Sequence, residues 1–142
     1  MVYSEAVKRA SEIAFEAHKD DLDLGDYPYF MHPLFLAFQM NDEDSVCAAL
    51  LHDVIEDHGD RYSFDTLVCE GFNDRVVRAV KLLTHDESVP YMDYVRGIKP
   101  DPIARAVKIA DLRHNLDVSR RKTKENRKDE LYKEALKYLT ED

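Results

Sequence analysis

Cys47 and Cys69 are the only cysteines among 142 residues, so no disulfide framework holds this chain together. Both read as small core residues. No apolar run approaches the roughly 18 residues of a membrane span. The segment MVYSEAVKRA has no signal-peptide core. The expectation is a soluble, cytoplasmic protein without a membrane partner. Period-2 alternation, internal repeats and linker-like segments are also missing, which predicts one domain over residues 1–142 without strands. Basic excess is missing too. At a net charge of −9 the chain has no general field for a nucleic-acid polymer or an anionic membrane. An anionic small molecule would need a local cation, either a metal ion or a few placed Lys and Arg. A chain of this length buries about two-thirds of its unfolded surface, so no metal is needed merely to fold it.

What is present is organised around AALLHDVIED, residues 48–57. Helical spacing puts His52 four residues before Glu56. It puts Asp53 three before Glu56 and four before Asp57. On a continuous helix these side chains share one side. His58-Gly59 then ends the helix, leaving three carboxylates in its last turn. The C-terminal end of the macrodipole disfavours each by about 0.3–1 kcal/mol, and their mutual repulsion adds to that. A divalent cation is the simplest offset. The His-Asp dipeptide alone carries little, since chance yields about one in a chain of this composition. The second, His85-Asp86, follows a helix end and reads as a solvated cap.

Helical periodicity continues along the chain. Tyr3 to Lys19 reads as a helix capped by Ser4, with Val7, Ala10, Ala14 and Ala17 on one face and His18 as a packing or capping residue. An acidic, aromatic loop (residues 20–31) leads to His32-Pro33, which opens a short apolar helix. Asn41 or Asp42 starts the central helix. Ser63 caps a helix ending at Gly71, and Asn73 begins the next. A short helix spans Tyr91 to Arg96. Asp101-Pro102 is a strong helix start. Ile103, Val107 and Ala110 form an apolar stripe that runs into Asp111, with His114 and Asn115 beyond it. The segment 119–128 is basic and polar, and a last helix covers Asp129 to Leu139. The fold class is all-α.

Four groups lie at helix ends or on core-facing stripes: His32, His52, Asp53 and Asp111. A buried carboxylate on such a stripe must be paired or bound to metal. Two imidazoles and two carboxylates suit one divalent ion with open positions. Mn²⁺ or Fe²⁺ fits this donor set, with Zn²⁺ or Mg²⁺ as alternatives. Such an ion acidifies water and polarises a phosphoryl group. Glu56 or Asp57, a turn away, could orient or deprotonate that water. The alternative is that these are ordinary polar residues at helix ends.

With these residues in place the sequence resembles the HD-domain hydrolases of the RelA/SpoT-homologue type, particularly the small single-domain alarmone hydrolases. The resemblance runs through His18, PYFMHP (28–33), AALLHDVIED, LLTH (82–85) and VKIADLRHNL (107–116). It implies an HD-type helical bundle with one divalent metal, usually Mn²⁺, held at His32, His52, Asp53 and Asp111. Glu56 and Asp57 match the paired catalytic acids, and Asn115 matches a substrate-binding Asn. The implied reaction removes the 3′-pyrophosphate from guanosine tetra- or pentaphosphate, the ppGpp of the stringent response.

Some positions depart from that pattern. An Arg-Lys pair of the family falls on Asp23 and Leu24 here, and an Arg and a Thr after the Asn fall on Asp117 and Val118. Asp23 is expected to repel a polyphosphate and Leu24 to donate nothing. Replacement cations are Lys108, Arg120, Arg121, Arg127 and Lys128. Tyr132 reads as a packing residue that shares the Lys128 face. Two other functions stay open. One is an HD phosphohydrolase acting on another nucleotide or phosphorylated metabolite. The other is a non-catalytic nucleotide sensor, against which the Glu56-Asp57 pair argues.

Overall fold

Residues 45–51 are buried on every side. A helix that is apolar all round needs neighbours all round, and this one is the centre of the molecule. The computed structural model describes residues 1–142. It contains α1 (Glu5–His18), α2 (Met31–Phe38), α3 (Glu43–Leu51), α4 (Val54–His58) and α5 (Phe64–Cys69). Then follow α6 (Asp74–Leu83), α7 (Tyr91–Ile98), α8 (Pro102–Asn115), a 3₁₀ turn (Val118–Arg120) and α9 (Asp129–Thr140). An isolated bridge between Leu22 and Pro28 is the sole extended pairing. Helix α3 packs against α1, α2, α6 and α8, and α9 closes over α8. The buried apolar side chains form one contiguous cluster. The expected all-α architecture is borne out.

The helix starts lie where short polar side chains predict them. Ser4, Asp42, Ser63, Asn73 and Asp101 each accept a backbone N–H of the first turn. Stops are less legible. The helix after Ser63 ends at Cys69, and Gly71 follows in the left-handed region at φ +90°. Cys47 is buried as expected, but Cys69 is exposed at the end of α5. Its helix is only six residues long and buries Leu67 alone.

The larger correction lies at the His-Asp pair. The central helix is not continuous: α3 stops at Leu51 and α4 begins at Val54. Asp53 adopts φ −104°, ψ −3°, the sparsely populated bridge region. The His52 ring takes the Ala49 carbonyl at 2.6 Å, the acceptor that an unbroken helix offers to the Asp53 amide. The four polar side chains therefore do not share one helix face. His52 and Asp53 sit at a joint, and Glu56 and Asp57 stand on a separate short helix.

The joint faces the start of α2 and the end of α8. Beside it, the loop after α1 touches the segment after α8. A Cβ built on Gly25 would lie 2.2 Å from the Arg120 carbonyl oxygen, so the two loops meet backbone to backbone. Gly25→Ala should force them apart at a cost of about 1–3 kcal/mol, read as a lower Tm. Gly97 in α7 borders open space, and a methyl group there would meet nothing within 4 Å. Gly97→Ala should therefore leave stability unchanged or raise it by at most about 1 kcal/mol, read as an equal or higher Tm. Equal behaviour of the two variants would refute the close approach.

Candidate active site

The donors at His32, His52, Asp53 and Asp111 converge. His32 is the second residue of α2 and Asp111 lies in the last turn of α8; both are buried. His32 Nε2 lies 2.9 Å from Asp111 Oδ1 and 4.0 Å from Asp53 Oδ2. His52 Nε2 lies 3.0 Å from Asp53 Oδ2 and 3.6 Å from Asp111 Oδ1. Despite these distances His52 Nε2 is buried without a hydrogen-bond partner. His32 Nε2 and Asp111 Oδ1 are in hydrogen-bond geometry, whereas His52 Nε2 is turned off the line to either carboxylate. His52 Nδ1 donates to the Ala49 carbonyl, which leaves the lone pair of the neutral ring on Nε2. His32 Nδ1 lies 2.7 Å from His114 Nδ1. His32 Nε2 is engaged by Asp111 Oδ1 at 2.9 Å, so a bound cation would take the place of the proton between them. Burial, helped by the Arg120 charge, pushes His114 down to about 4, so it is neutral and able to accept. His32, His52 and Asp53 form a group that could hold a divalent cation, and Asp111 Oδ1 stands against both imidazoles.

Surrounding groups fix the carboxylates. Lys108 Nζ donates to Asp111 Oδ2 at 2.9 Å, and Asn115 Nδ2 donates to Asp111 Oδ1 at 3.0 Å. Tyr29 donates its hydroxyl to Asp53 Oδ2. Burial opposes charge on Asp111, but Lys108 and the two imidazoles outweigh it and hold its pKa well below the carboxylate range. Lys108 is itself buried between Asp111 and the rings of Tyr91 and Tyr94. It is thus part of this centre and not a free cation for a ligand.

Glu56 and Asp57 stand beside the centre on α4. Burial, then the charges of Asp53 and Glu56, pushes Asp57 up to about 7. Burial also raises Glu56, although the His85 backbone N–H donates to its Oε1 at 2.6 Å and offsets part of the shift. The reading of His85-Asp86 as a solvated cap is therefore corrected for His85. Its backbone binds Glu56, its ring packs on Tyr94, and its Nε2 meets the Val89 carbonyl.

A second His-Asp cluster joins His18, Asp21 and His58. Asp21 Oδ2 lies 3.1 Å from His18 Nδ1 and 2.6 Å from His58 Nε2. Arg61 donates to His58 Nδ1 at 3.2 Å and to the Ala17 carbonyl. An Arg donor on Nδ1 puts the His58 proton on Nε2 and a fixed positive charge beside the ring, both unfavourable to a cation. This cluster ties the end of α4 to α1, with His18 a buried packing residue.

Two cavities adjoin the centre. One, about 550 Å³, is lined by Asp53, Glu56, Asp57, His85, Lys108 and Asp111. The other, about 400 Å³, is lined by Asp23, Arg120, Arg121, Arg127, Lys128 and Asp129. Tyr29, Asn115, Lys128 and Tyr132 line both, so the two form one cleft. Asp23 does not face this cleft as a free charge. Its Oδ1 accepts from Gly25 and Tyr27 amides, its Oδ2 lies 3.6 Å from Arg120, and its side chain is 10% exposed. The expected repulsion of a polyphosphate by Asp23 is corrected accordingly: the carboxylate builds the loop. Tyr29, His114, Tyr91 and Tyr94 are not among the expected site residues, and Lys108, expected as a cation for the ligand, is instead paired with Asp111. The placement of Lys108 three residues before Asp111 was the one local signal available.

In ion-free protein the Asp57 proton matters. Its folded pKa lies above the unfolded value, so its contribution is present at low pH and lost as pH rises through about 7. Asp57→Asn removes this loss. With EDTA present, the Tm advantage of Asp57→Asn over the natural chain should grow between pH 5 and pH 8, and a divalent cation should shrink it. A pH-independent difference would show that Asp57 is not raised.

No family model matches the chain. In sequence it is 28% identical over 126 residues to the guanosine-3′,5′-bis(diphosphate) 3′-pyrophosphohydrolase of Aquifex aeolicus. It is 33% identical over 127 residues to the probable GTP pyrophosphokinase of Mycobacterium leprae. Each match takes in 80% of this chain but 18% and 16% of the respective relative, so the chain spans less than a fifth of their length. In structure it is similar to a metazoan ortholog of SpoT described as hydrolysing ppGpp. The TM-score is 0.78 at 22% identity, covering 99% of this chain and 88% of that one. Sequence and fold together bear out the resemblance to SpoT-type proteins, and the chain shares the all-helical HD-type fold of that ortholog.

Proposed function

We propose that the chain is a divalent-metal-dependent phosphohydrolase that removes the 3′-pyrophosphate from guanosine tetra- or pentaphosphate. The observation that carries this reading is the continuous cleft. One end joins a cation-fitting donor set to two raised acids, and the other end gathers basic side chains. The relatives' names point to the same chemistry. His32, His52, Asp53 and Asp111 would hold the ion. Mn²⁺ is the first choice, because two imidazoles and two carboxylates with open positions suit it. The chemistry a divalent ion supplies in such a site is polarisation of a phosphoryl oxygen and acidification of water.

The protein's own groups do the rest. Lys108 and Asn115 orient Asp111, and Tyr29 orients Asp53. Asp57 or Glu56 takes a proton from the attacking water as oxygen bonds to phosphorus. The bond from phosphorus to the ribose 3′ oxygen breaks, and a proton passes to that oxygen. A raised carboxyl pKa suits a base that must release its proton again near neutral pH. Asn115 lines both ends of the cleft and would contact the substrate between them.

A second reading keeps the chemistry and changes the nucleotide. It is favoured by Leu24, exposed and apolar, and by Asp23, bound into its loop, where the family carries cations.

Turnover with Mn²⁺ on a panel of 3′- and 2′-phosphorylated nucleotides tests the proposal; no hydrolysis of any would sink it. Mn²⁺ at about 100 times its Kd should stabilise the protein by about 2.7 kcal/mol. His52→Ala and Asp111→Ala should lose that Tm shift. Glu56→Gln and Asp57→Asn should keep it while at least one loses turnover by about 10²–10⁴-fold. Rates like those of the natural chain in both would mean that these acids only balance the cation's charge.

A further inference from the structure

Helix α2 is apolar on every side, but the molecule covers only one side. Its inner face, His32, Pro33, Leu36 and Ala37, is buried, and the helix packs against α3 and α8. Its outer face carries Met31, Leu34, Phe35 and Phe38, the spacing of one apolar helix stripe. Met31, Phe35 and Phe38 are 55%, 49% and 54% exposed. Phe15 of α1, also 55% exposed, extends the stripe beyond Met31 through its edge contact with Phe30, ring centroids 5.5 Å apart. No Asp, Glu, Lys or Arg occurs from Tyr27 to Asn41. A helix that is apolar all round needs neighbours all round. Helix α3 has them, and α2 is one neighbour short.

This face is not a wall of the cleft, since no residue from 30 to 41 lines either of its cavities. Side chains of this size present about 200 Å² when free, so four at half exposure offer roughly 400 Å². A standard interface buries about 800 Å² per partner, of which a little over half is apolar. The stripe supplies nearly all of that apolar share. Helices that lie on an anionic bilayer carry Lys and Arg beside their apolar face, and α2 has neither.

The charges around the stripe suit a second copy. Glu12, one turn before Phe15 on the same face, is exposed and enters none of the ion pairs. Arg113 is likewise exposed and unpaired, and it lines a cavity with Gln39 and Met40 at the other end of α2. Two α2 helices packed antiparallel about a two-fold axis bring Arg113 of each copy to the Glu12 end of the other. Most acids flanking α2 are already answered within the chain and oppose the contact little. Asp21, Asp23, Asp26 and Asp44 face His58, Arg120, Lys122 and Arg75.

We infer that the outer face of α2 is the interface of an isologous homodimer of this chain, with Phe15 of each copy against Phe38 of the other. The inference is independent of the nucleotide reading. The interface backs onto the metal end of the cleft. Phe35 stacks on His114 at 4.3 Å between centroids, and His114 in turn meets His32.

Sedimentation equilibrium of the full chain at micromolar concentrations should give twice the mass of one chain. Phe38→Glu should raise the dimer dissociation constant at least about tenfold with an unchanged helical circular dichroism spectrum, and Met31→Glu stands in if that variant unfolds. Val68→Glu, on the exposed side of α5, should dimerise like the natural chain. Arg113→Glu should weaken the dimer, and Glu12→Arg in the same chain should restore it, as the antiparallel pairing requires. A monomer at every concentration overturns the inference. So does a dimer that survives both Phe38→Glu and Met31→Glu, which puts the interface elsewhere, or a charge-reversed chain as weak as Arg113→Glu alone. Loss of the dimer in Val68→Glu would mark nonspecific association and overturn it too. A monomer that floats with phosphatidylcholine–phosphatidylserine vesicles would give the face to a membrane instead.

Discussion

Burial of like charge is the constraint on which the rest of this molecule turns. Asp53 and Asp111 are brought within reach of one another in a nearly dry space, where Coulomb repulsion is several-fold stronger than in water. Each is compensated from more than one direction. Lys108, Asn115 and His32 bond to Asp111, and Tyr29 bonds to Asp53. His52 takes up a proton readily, because the two carboxylates outweigh the burial that opposes its charge. In ion-free protein that proton substitutes for part of a cation's charge, and metal must displace it to bind.

The same field reaches α4. Asp57 and Glu56 are raised because they are buried beside Asp53. A group that carries its proton near neutrality can both accept and return one. The charge problem and the acid–base capacity are therefore one arrangement viewed from two helices. Supports radiate outwards: Glu56 is held by the His85 amide, and the end of α4 is tied to α1 through His58, Asp21 and Arg61. Structural polar networks of this kind fix side chains whose own helix is only five residues long.

The distal end follows a different rule. There the loop after α1 and the segment after α8 touch at Gly25 and Arg120, and the contact sets the shape of the basic cavity. Asp23, which on sequence alone opposes a polyanion, directs its charge to two amides and Arg120. Its carboxylate organises the loop that forms one wall of the basic cavity. The chain gathers its cations from beyond α8, not from the loop before α2.

Much of this was legible in the residues. Helix starts at Ser4, Asp42, Ser63, Asn73 and Asp101 follow from local side-chain hydrogen bonds, which need no tertiary partner. Helical spacing and the oddity of carboxylates on apolar stripes single out the four candidate ligands and the two acids. In the structure Asp53, Asp111, Glu56 and Asp57 line one cavity, and the buried His32 and His52 stand against the two aspartates. The break at His52-Asp53 was not legible. It depends on the His52 ring claiming the Ala49 carbonyl while Asp53 turns towards Tyr29 and α2, and periodicity says nothing of such competition. Nor could the sequence tell which cations are free. Lys108 and Lys128 both line the cleft. Tertiary packing alone decides that Lys108 is consumed by Asp111 and the tyrosines, while Lys128 stays exposed and enters no ion pair. Charge identity is written in the sequence, whereas charge availability is set by which opposite charges the fold places within hydrogen-bond reach.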